Sequence, residues 1–219
     1  ADIDAAVPVI VNAIVQNAGQ TCSAGSRLLI ERSAYETVLA KVAERFRALV
    51  CGPAERDFPV GPLVNARQLE RVRAFVARAQ SDGLRCAAQG AVAPDAPAGG
   101  FYHPPMLFAD VPPQHPIAQE EIFGPVLVAM AFDSEQEAIA LANGTPYGLV
   151  AGVWTRDGAR QMRLARRLQS GQVFINDYGA GGGVELPFGG VKKSGHGREK
   201  GWAGLLSFTT LKTVAIKHG

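Results

Sequence analysis

The sequence predicts an α/β fold in which helices flank a mostly parallel, twisted sheet. Short apolar runs such as RLLIE and PVLVAMAF alternate with longer segments whose apolar residues recur at helical spacing. The run PVLVAMAF is also continuously apolar, which is typical of a strand covered on both faces. Because strands that alternate with helices are joined by crossovers, most of the sheet is expected to be parallel.

The composition favours a globular chain. The 219 residues are 47% hydrophobic and 19% charged, which is enough to bury a substantial core in one large domain or two small ones. The formal net charge is +2 and the basic residues are scattered, so no nucleic-acid partner is expected. No apolar stretch approaches the roughly 20 residues of a membrane span, and the N-terminus lacks a signal peptide's basic region, so no membrane association is expected.

The cysteines point to a reducing environment. There are three of them, an odd number, and none forms a C-x-x-C pair. This spacing predicts neither a disulfide framework nor a metal site. We therefore expect a cytoplasmic protein without a bound metal.

The first elements are a helix, a strand and a second helix. The first helix is expected over Asp4–Gln16, with Gly19 as its C-cap. Pro8 is best tolerated in a first turn and therefore favours a later start. The strand RLLIE follows, and Ser33 with Glu36 then forms a capping-box pattern ahead of the second helix.

The remaining chain repeats this alternation. A third helix is expected from an Asn65 cap to Gly83, and Ser134 with Glu137 opens another. RCAAQG, PVLVAMAF, GLVAGVWT and QVFIN are the strand candidates, and an amphipathic helix separates the last two. The β-branched run at the end of the chain predicts an extra strand within residues 209–219.

Cys22 is the first candidate for chemistry. It lies in the segment NAGQTCSAGSR, whose small residues leave room for a substrate to approach the sulfur. Backbone N–H groups in such a turn can stabilise the oxyanion formed when a thiolate attacks a carbonyl. From local composition alone, a buried and inert thiol is the alternative.

Two further segments carry charged side chains. EEIFGPV, residues 120–126, places two carboxylates at the mouth of a predicted strand, where carboxylates accept hydrogen bonds from ribose hydroxyls. The alternative is a solvated turn with Phe123 in the core. LPFGGVKKSGHGRE, residues 186–199, is either a phosphate cradle or a flexible surface loop.

These three segments, together with ANGTPYGL at residues 142–149, resemble the aldehyde dehydrogenase superfamily in order and spacing. The resemblance covers essentially the whole chain. It implies a catalytic domain over residues 1–208 and a C-terminal oligomerisation strand over 209–219 that joins a partner's sheet in a dimer or tetramer. It also implies an enzyme that oxidises an aldehyde with NAD or NADP. A non-catalytic interaction module and a CoA-acylating enzyme are the alternatives.

The resemblance also implies roles for individual residues. Cys22 is similar to the nucleophile that forms a thiohemiacetal and then a thioester, which water hydrolyses to the carboxylic acid. Glu121 matches the residue that binds the nicotinamide ribose, and Phe123 matches the aromatic residue beside it. The residues expected to shape the substrate pocket are Thr21, Ser23 and Phe188.

The same resemblance implies functional parts that this sequence lacks. Family members are about twice as long, and an N-terminal domain binds most of the cofactor and supplies a general-base glutamate and a second oxyanion donor. Residues 179–184, GAGGGV, do not match a dinucleotide fingerprint, because the third glycine is displaced and no apolar helix follows. Glu120 and Glu185 are the substitute bases to consider. We therefore expect the isolated chain to be inactive as a dehydrogenase.

The glycine-rich segment at residues 179–186 has a separate expected role. It directly precedes the PFGG motif, and glycine adopts backbone conformations that other residues avoid. We expect this segment to leave the substrate channel open or mobile.

Overall fold

A computed structural model of the chain describes residues 1–179 and 183–219. The described residues have the α/β class that the sequence predicts. The helices are α1 (Ile3–Val15), α2 (Tyr35–Arg47), α3 (Ala66–Ser81), α4 (Pro116–Gln119), α5 (Glu135–Asn143), α6 (Gly158–Arg167) and α7 (Gly201–Leu206). The strands are β1 (Arg27–Glu31), β2 (Val50–Cys51), β3 (Arg85–Gln89), β4 (Ala91–Val92), β5 (Met106–Ala109), β6 (Val126–Phe132), β7 (Val150–Val153) and β8 (Gln172–Ile175).

The main sheet has the strand order β1-β6-β5-β3. Strand β6 pairs in parallel with both β1 and β5, whereas β3 pairs antiparallel with β5. The pairs β2-β4 and β7-β8 are short and parallel. The sheet is therefore mixed, and the expectation of a mostly parallel one holds except at β3. No crossover helix separates β3 from β5, and antiparallel strands need none.

The core lies where helices cover the central strands. Leu127 of β6 is fully buried, as the continuously apolar run predicts. Leu107 and Phe108 of β5, a strand that was not predicted from the sequence, are fully buried as well. Helices α1 and α2 pack against each other and against this sheet. Val42 and Phe46 of α2 have no exposed surface, and each such side chain contributes roughly 1.5–3 kcal/mol through burial.

Two helix starts differ from the sequence prediction. Helix α1 begins at Ile3, with Asp2 accepting the Ala5 N–H, and Pro8 therefore lies inside the helix. The proline removes one N–H from the ladder, and the buried apolar face of α1 offsets that loss. Helix α2 begins at Tyr35 without a side-chain cap, so the predicted Ser33 cap is wrong.

Two other helix caps are confirmed. The Asn65 side chain accepts the Gln68 N–H at 2.9 Å at the start of α3. The Ser134 hydroxyl accepts the Glu137 N–H at 3.2 Å at the start of α5. Each side chain accepts a hydrogen bond from one of the N–H groups that have no partner within the helix at its start.

The C-terminal segment forms no strand within the chain. Residues 209–219 belong to no helix or strand, and Leu211 is 97% exposed. A β-strand needs a neighbouring edge for its backbone hydrogen bonds, and no described strand pairs with this segment. Its role in oligomerisation, and the domain limit at residue 208, stay predictions. Within the described part of the chain, no helix has the length and apolar character needed to cross a bilayer.

Candidate active site

Cys22 occupies the second position of a tight turn between α1 and β1. The Ala24 N–H donates to the Thr21 carbonyl at 3.0 Å and closes the turn. Cys22 is exposed, whereas the next residue, Ser23, is buried. Among the described residues, no acceptor takes the N–H of Cys22. The turn therefore presents a thiol and a backbone donor, unpaired within the described chain, on the same residue, Cys22.

The other two thiols have different surroundings. Cys51 is buried, and its thiol donates to the Gly61 carbonyl at 3.2 Å. Burial raises the pKa of Cys51 above its usual value. Burial of the sulfur also raises the pKa of Cys86, although much of that residue is exposed. A raised thiol pKa lowers the fraction of reactive thiolate at neutral pH.

The backbone ahead of the turn has three consecutive residues in the left-handed region. Asn17, Ala18 and Gly19 have φ angles of 52°, 54° and 73°. Such angles cost about 1 kcal/mol or more for a residue with a Cβ. The Asn17 amide donates to the Gln20 carbonyl at 2.9 Å, and Gln20 donates to the Asn17 carbonyl at 3.1 Å. These two reciprocal bonds hold the segment in its unfavourable conformation.

Gly19 packs directly on the segment EEIFGPV. A Cβ at Gly19 would overlap the carbonyl group of Gly124, so a glycine is required by space as well as by φ. A Cβ at Gly124 would in turn overlap the Val72 side chain of α3. The close approach of these backbones brings the thiol and the carboxylate segment together.

Helix α3 holds the backbone of residues 121–123. The Gln68 amide donates to the carbonyls of Ile122 at 3.0 Å and Phe123 at 2.7 Å. The Arg71 guanidinium donates to the Glu121 carbonyl at 2.6 Å. Phe123 has a φ of 60°, and its ring is partly exposed. Gln68 and Arg71 were not among the predicted site residues, and their i, i+3 spacing on one helix face was the available signal.

A cavity of about 640 Å³ brings most of the candidate residues together. Its lining includes Thr21, Cys22, Ser23, Glu121 and Phe123. Of the two substitute bases, Glu120 also lines the cavity. Glu185 is not part of the lining that the described residues provide. The cavity therefore joins the thiol to the carboxylate segment.

Phe188 lies apart from this lining. Its N–H and carbonyl pair with the backbone of Glu199 at 2.7 Å each, and the Lys200 ammonium lies 5.7 Å from the ring centre. The adjacent Gly189 packs closely on Gly171, because a Cβ added at Gly171 would overlap the Gly189 carbonyl oxygen. These contacts fix the PFGG turn beside β8. The expected place of Phe188 in the substrate channel stays a prediction, and residues 180–182 of the glycine-rich segment lie outside the described residues.

Two basic residues of the late motif, Lys192 and Arg198, bind backbone carbonyls. The Lys192 ammonium donates to the Asn143 carbonyl at 2.6 Å and to the Thr145 carbonyl at 3.1 Å. The Arg198 guanidinium donates to the Gly190 carbonyl at 2.9 Å. Lys192 thus ties the late motif to the turn ANGTPYGL, and Arg198 braces the motif itself, so this loop is structurally anchored.

Comparison with known proteins shows which family the chain resembles. The Aldehyde dehydrogenase family model matches residues 1–214 of the chain. Betaine aldehyde dehydrogenase from Cereibacter sphaeroides is 41% identical over 222 residues, covering 100% of this chain and 45% of the relative. The chain therefore spans a little under half the length of this curated relative.

Solved structures give the same likeness in three dimensions. A Burkholderia cenocepacia crystal structure, assigned to an aldehyde dehydrogenase, has 66% identity and a TM-score of 0.97, over 100% of this chain and 46% of its own. A Mycobacterium tuberculosis aldehyde dehydrogenase complexed with NAD⁺ has 39% identity and a TM-score of 0.92, over 100% of this chain and 45% of its own. Both alignments include the segments that line the cavity.

Proposed function

The chain belongs to the aldehyde dehydrogenase family, and from this premise we propose that it is the catalytic part of an NAD(P)-dependent enzyme that oxidises an aldehyde to a carboxylic acid. The supporting observation is that the exposed Cys22, Glu121 and Phe123 line one cavity. A relative that is 39% identical was solved with NAD⁺, which supports a nicotinamide cofactor. The proposal covers both NAD and NADP.

Cys22 acts as the nucleophile in this proposal. Its thiolate adds to the aldehyde carbon, so a C–S bond forms and the carbonyl oxygen becomes an oxyanion. The N–H of Cys22, which no described residue accepts, is placed to stabilise that charge. When bound, the nicotinamide supplies the hydride acceptor. Water then cleaves the resulting thioester, releasing the carboxylic acid and restoring the thiol.

The residues at the mouth of β6 fit a nicotinamide ribose. Glu121 is exposed, and its carboxylate takes part in no salt bridge among the described residues. A free carboxylate at a strand's end is suited to accept hydrogen bonds from ribose hydroxyls. Gln68 and Arg71 bind the backbone of this segment and so leave the Glu121 carboxylate and the Phe123 ring available.

The 219-residue chain alone is proposed to have negligible dehydrogenase activity. Its sequence supplies one oxyanion donor, and losing a second donor costs about two to three powers of ten in kcat. Glu120 shares the cavity with Cys22, but no contact places its carboxylate beside the sulfur. The isolated chain should therefore form a Cys22 adduct without turning over.

The C-terminal segment is proposed to join a second copy of the protein. Leu211, Val214 and Ile216 are between 72% and 97% exposed, and contiguous exposed apolar side chains mark interaction surfaces. The same exposure favours the second candidate function, a non-catalytic interaction module in which Cys22 has no role. The two candidates differ in whether the protein oxidises an aldehyde at all.

The test is aldehyde oxidation by the protein expressed at its native length. The wild type should form NADH or NADPH when an aldehyde is added. Cys22→Ser should lower kcat by at least about three powers of ten, since hydroxyl cannot replace a thiolate here. Cys86→Ser, a matched thiol outside the cavity, should keep the wild-type rate. Undiminished activity of Cys22→Ser would contradict the role of Cys22. A wild type that oxidises none of the aldehydes supplied would contradict the proposal and favour the interaction module.

A further inference from the structure

Tyr178 is a partly buried tyrosine that lines the same cavity and that the chemistry above does not use. It follows β8, and its O–H donates to the Ser23 carbonyl at 2.9 Å. Strand β7 makes room for the ring at Gly152, where a Cβ would lie 2.7 Å from the ring. Among the described residues, no other side chain hydrogen-bonds to the backbone of residues 21–24. Among the described residues, Tyr178 is thus the one side chain that holds the turn at residues 21–24 by a hydrogen bond.

The brace acts on the peptide unit between Ser23 and Ala24. Its carbonyl accepts the Tyr178 O–H, and its N–H donates to the Thr21 carbonyl at 3.0 Å. A peptide plane held at both ends cannot rotate without breaking one of these bonds. Cys22 is one of the two residues enclosed by the turn, so the direction of its N–H is set by the same restraint.

The protonation state of Tyr178 suits a permanent donor. Burial raises the pKa of this phenol to about 12. The O–H therefore remains protonated at neutral and mildly alkaline pH. The hydrogen bond to the Ser23 carbonyl is available throughout the range in which a thiol ionises.

We propose that Tyr178 is a positioning residue that aims the Cys22 N–H at the oxyanion through its bond to the Ser23 carbonyl. The inference rests on the proposed role of Cys22 as the nucleophile. Tyr178 contacts only the Ser23 backbone in this role, so it acts through the turn. Its effect should appear in reactions that form an oxyanion and not in reactions that require only an exposed sulfur.

The experiment compares two reactions of Cys22 in the protein at its native length. Acylation by p-nitrophenyl acetate passes through an oxyanion, whereas alkylation by iodoacetamide displaces iodide and forms none. Tyr178→Phe keeps the ring and removes the O–H. We expect acylation to slow about tenfold, the equivalent of one hydrogen bond, while alkylation stays within about twofold of wild type.

Two further variants serve as a control and as an independent perturbation of the Tyr178 ring. Tyr35→Phe removes the hydroxyl of a buried tyrosine that accepts the Asp110 N–H at 2.9 Å, and it should leave both rates unchanged. Gly152→Ala pushes on the Tyr178 ring and should reproduce the selective loss of acylation, even if Tyr178→Phe fails to fold. Melting temperatures establish that each variant is folded.

The outcomes separate the two proposals. A wild type that acquires no acyl group on Cys22 contradicts the proposed function and the role of Tyr178 with it. Normal wild-type acylation with undiminished rates in folded Tyr178→Phe contradicts the role of Tyr178 alone. Equal losses of acylation and alkylation also overturn it, because they indicate a general disturbance of the turn.

Discussion

The Cys22 turn, residues 21–24, and the C-terminal segment, residues 209–219, are built in opposite ways. The turn is restrained by contacts from this chain: Gly19 packs on Gly124, and Tyr178 holds the Ser23 carbonyl. Residues 209–219 have no pairing partner in the described chain, and most of their apolar side chains face solvent. The difference teaches that contacts within the chain arrange the thiol, whereas no strand of the described chain pairs with its C-terminal segment.

Among these changes, Gly19→Ala should lower the free energy of unfolding the most, because Gly19 packs on Gly124 just ahead of the Cys22 turn. It combines a left-handed backbone with overlap on the Gly124 carbonyl, and we expect a loss of about 2–4 kcal/mol in the free energy of unfolding. Gly83→Ala is the matched control, because Gly83 has a φ of +78° but no heavy atom within 4 Å of the added Cβ. It should cost about 1 kcal/mol. Equal losses in the free energy of unfolding, measured in urea, would show that the close packing of Gly19 on Gly124 contributes nothing.

Alkaline pH should have the next largest effect, by lowering the free energy of unfolding as Tyr178 ionises. The pKa of Tyr178 rises from 10.0 to about 12 on folding, so the folded state holds this proton more tightly. The stabilisation is complete below pH 10 and is lost as pH rises from 10 to about 12. The full loss is about 3 kcal/mol. The free energy of unfolding, measured in urea at several pH values between 10 and 12, should fall more for wild type than for Tyr178→Phe. Equal falls in the two proteins would contradict the assignment.

Gln68→Ala tests the link between α3 and the carboxylate segment. It removes two hydrogen bonds to the backbone of residues 122–123, and we expect cofactor affinity to fall about tenfold in the native-length protein. The alkylation rate of Cys22 should be unchanged. Glu70→Ala, an exposed neighbour on the same helix, is the control. Unaltered cofactor affinity, measured by calorimetry, would remove α3 from this role.

Deletion of residues 209–219 should have the smallest effect on the thiol. Because these residues lack pairing partners within the described chain, the alkylation rate of Cys22 should stay within about twofold of wild type. Self-association should be lost, as light scattering would detect. Slower alkylation without a change in molar mass would show that the two regions are coupled.

The sequence predicted those features that depend on neighbouring residues. Helix and strand alternation gave the α/β class, and the side chains of Asn65 and Ser134 were correctly placed at helix starts. Such signals are local, because a cap or a periodic face is complete within a few residues. Pro8 shows the limit, since tertiary packing accommodated it inside α1.

The contacts that shape the candidate site could not be read in this way. Tyr178 and Ser23 are 155 residues apart, and Gln68 is 55 residues from Phe123. Nothing in local composition states which distant side chain will meet a given carbonyl. The resemblance of short motifs supplied Cys22 and Glu121, but it did not supply the side chains that brace them. Phe188, predicted beside the substrate, lies outside the described cavity lining.

Selective labelling of the thiols tests the central claim most directly. Native-length protein is treated briefly with limiting p-nitrophenyl acetate, and peptide mass mapping follows the acetyl group on each cysteine. Cys22 should be modified first and at least about tenfold faster than Cys86, whose pKa is raised by burial, or Cys51, which is buried. Modification of Cys22 no faster than Cys86 would contradict the assignment of Cys22 as the nucleophile.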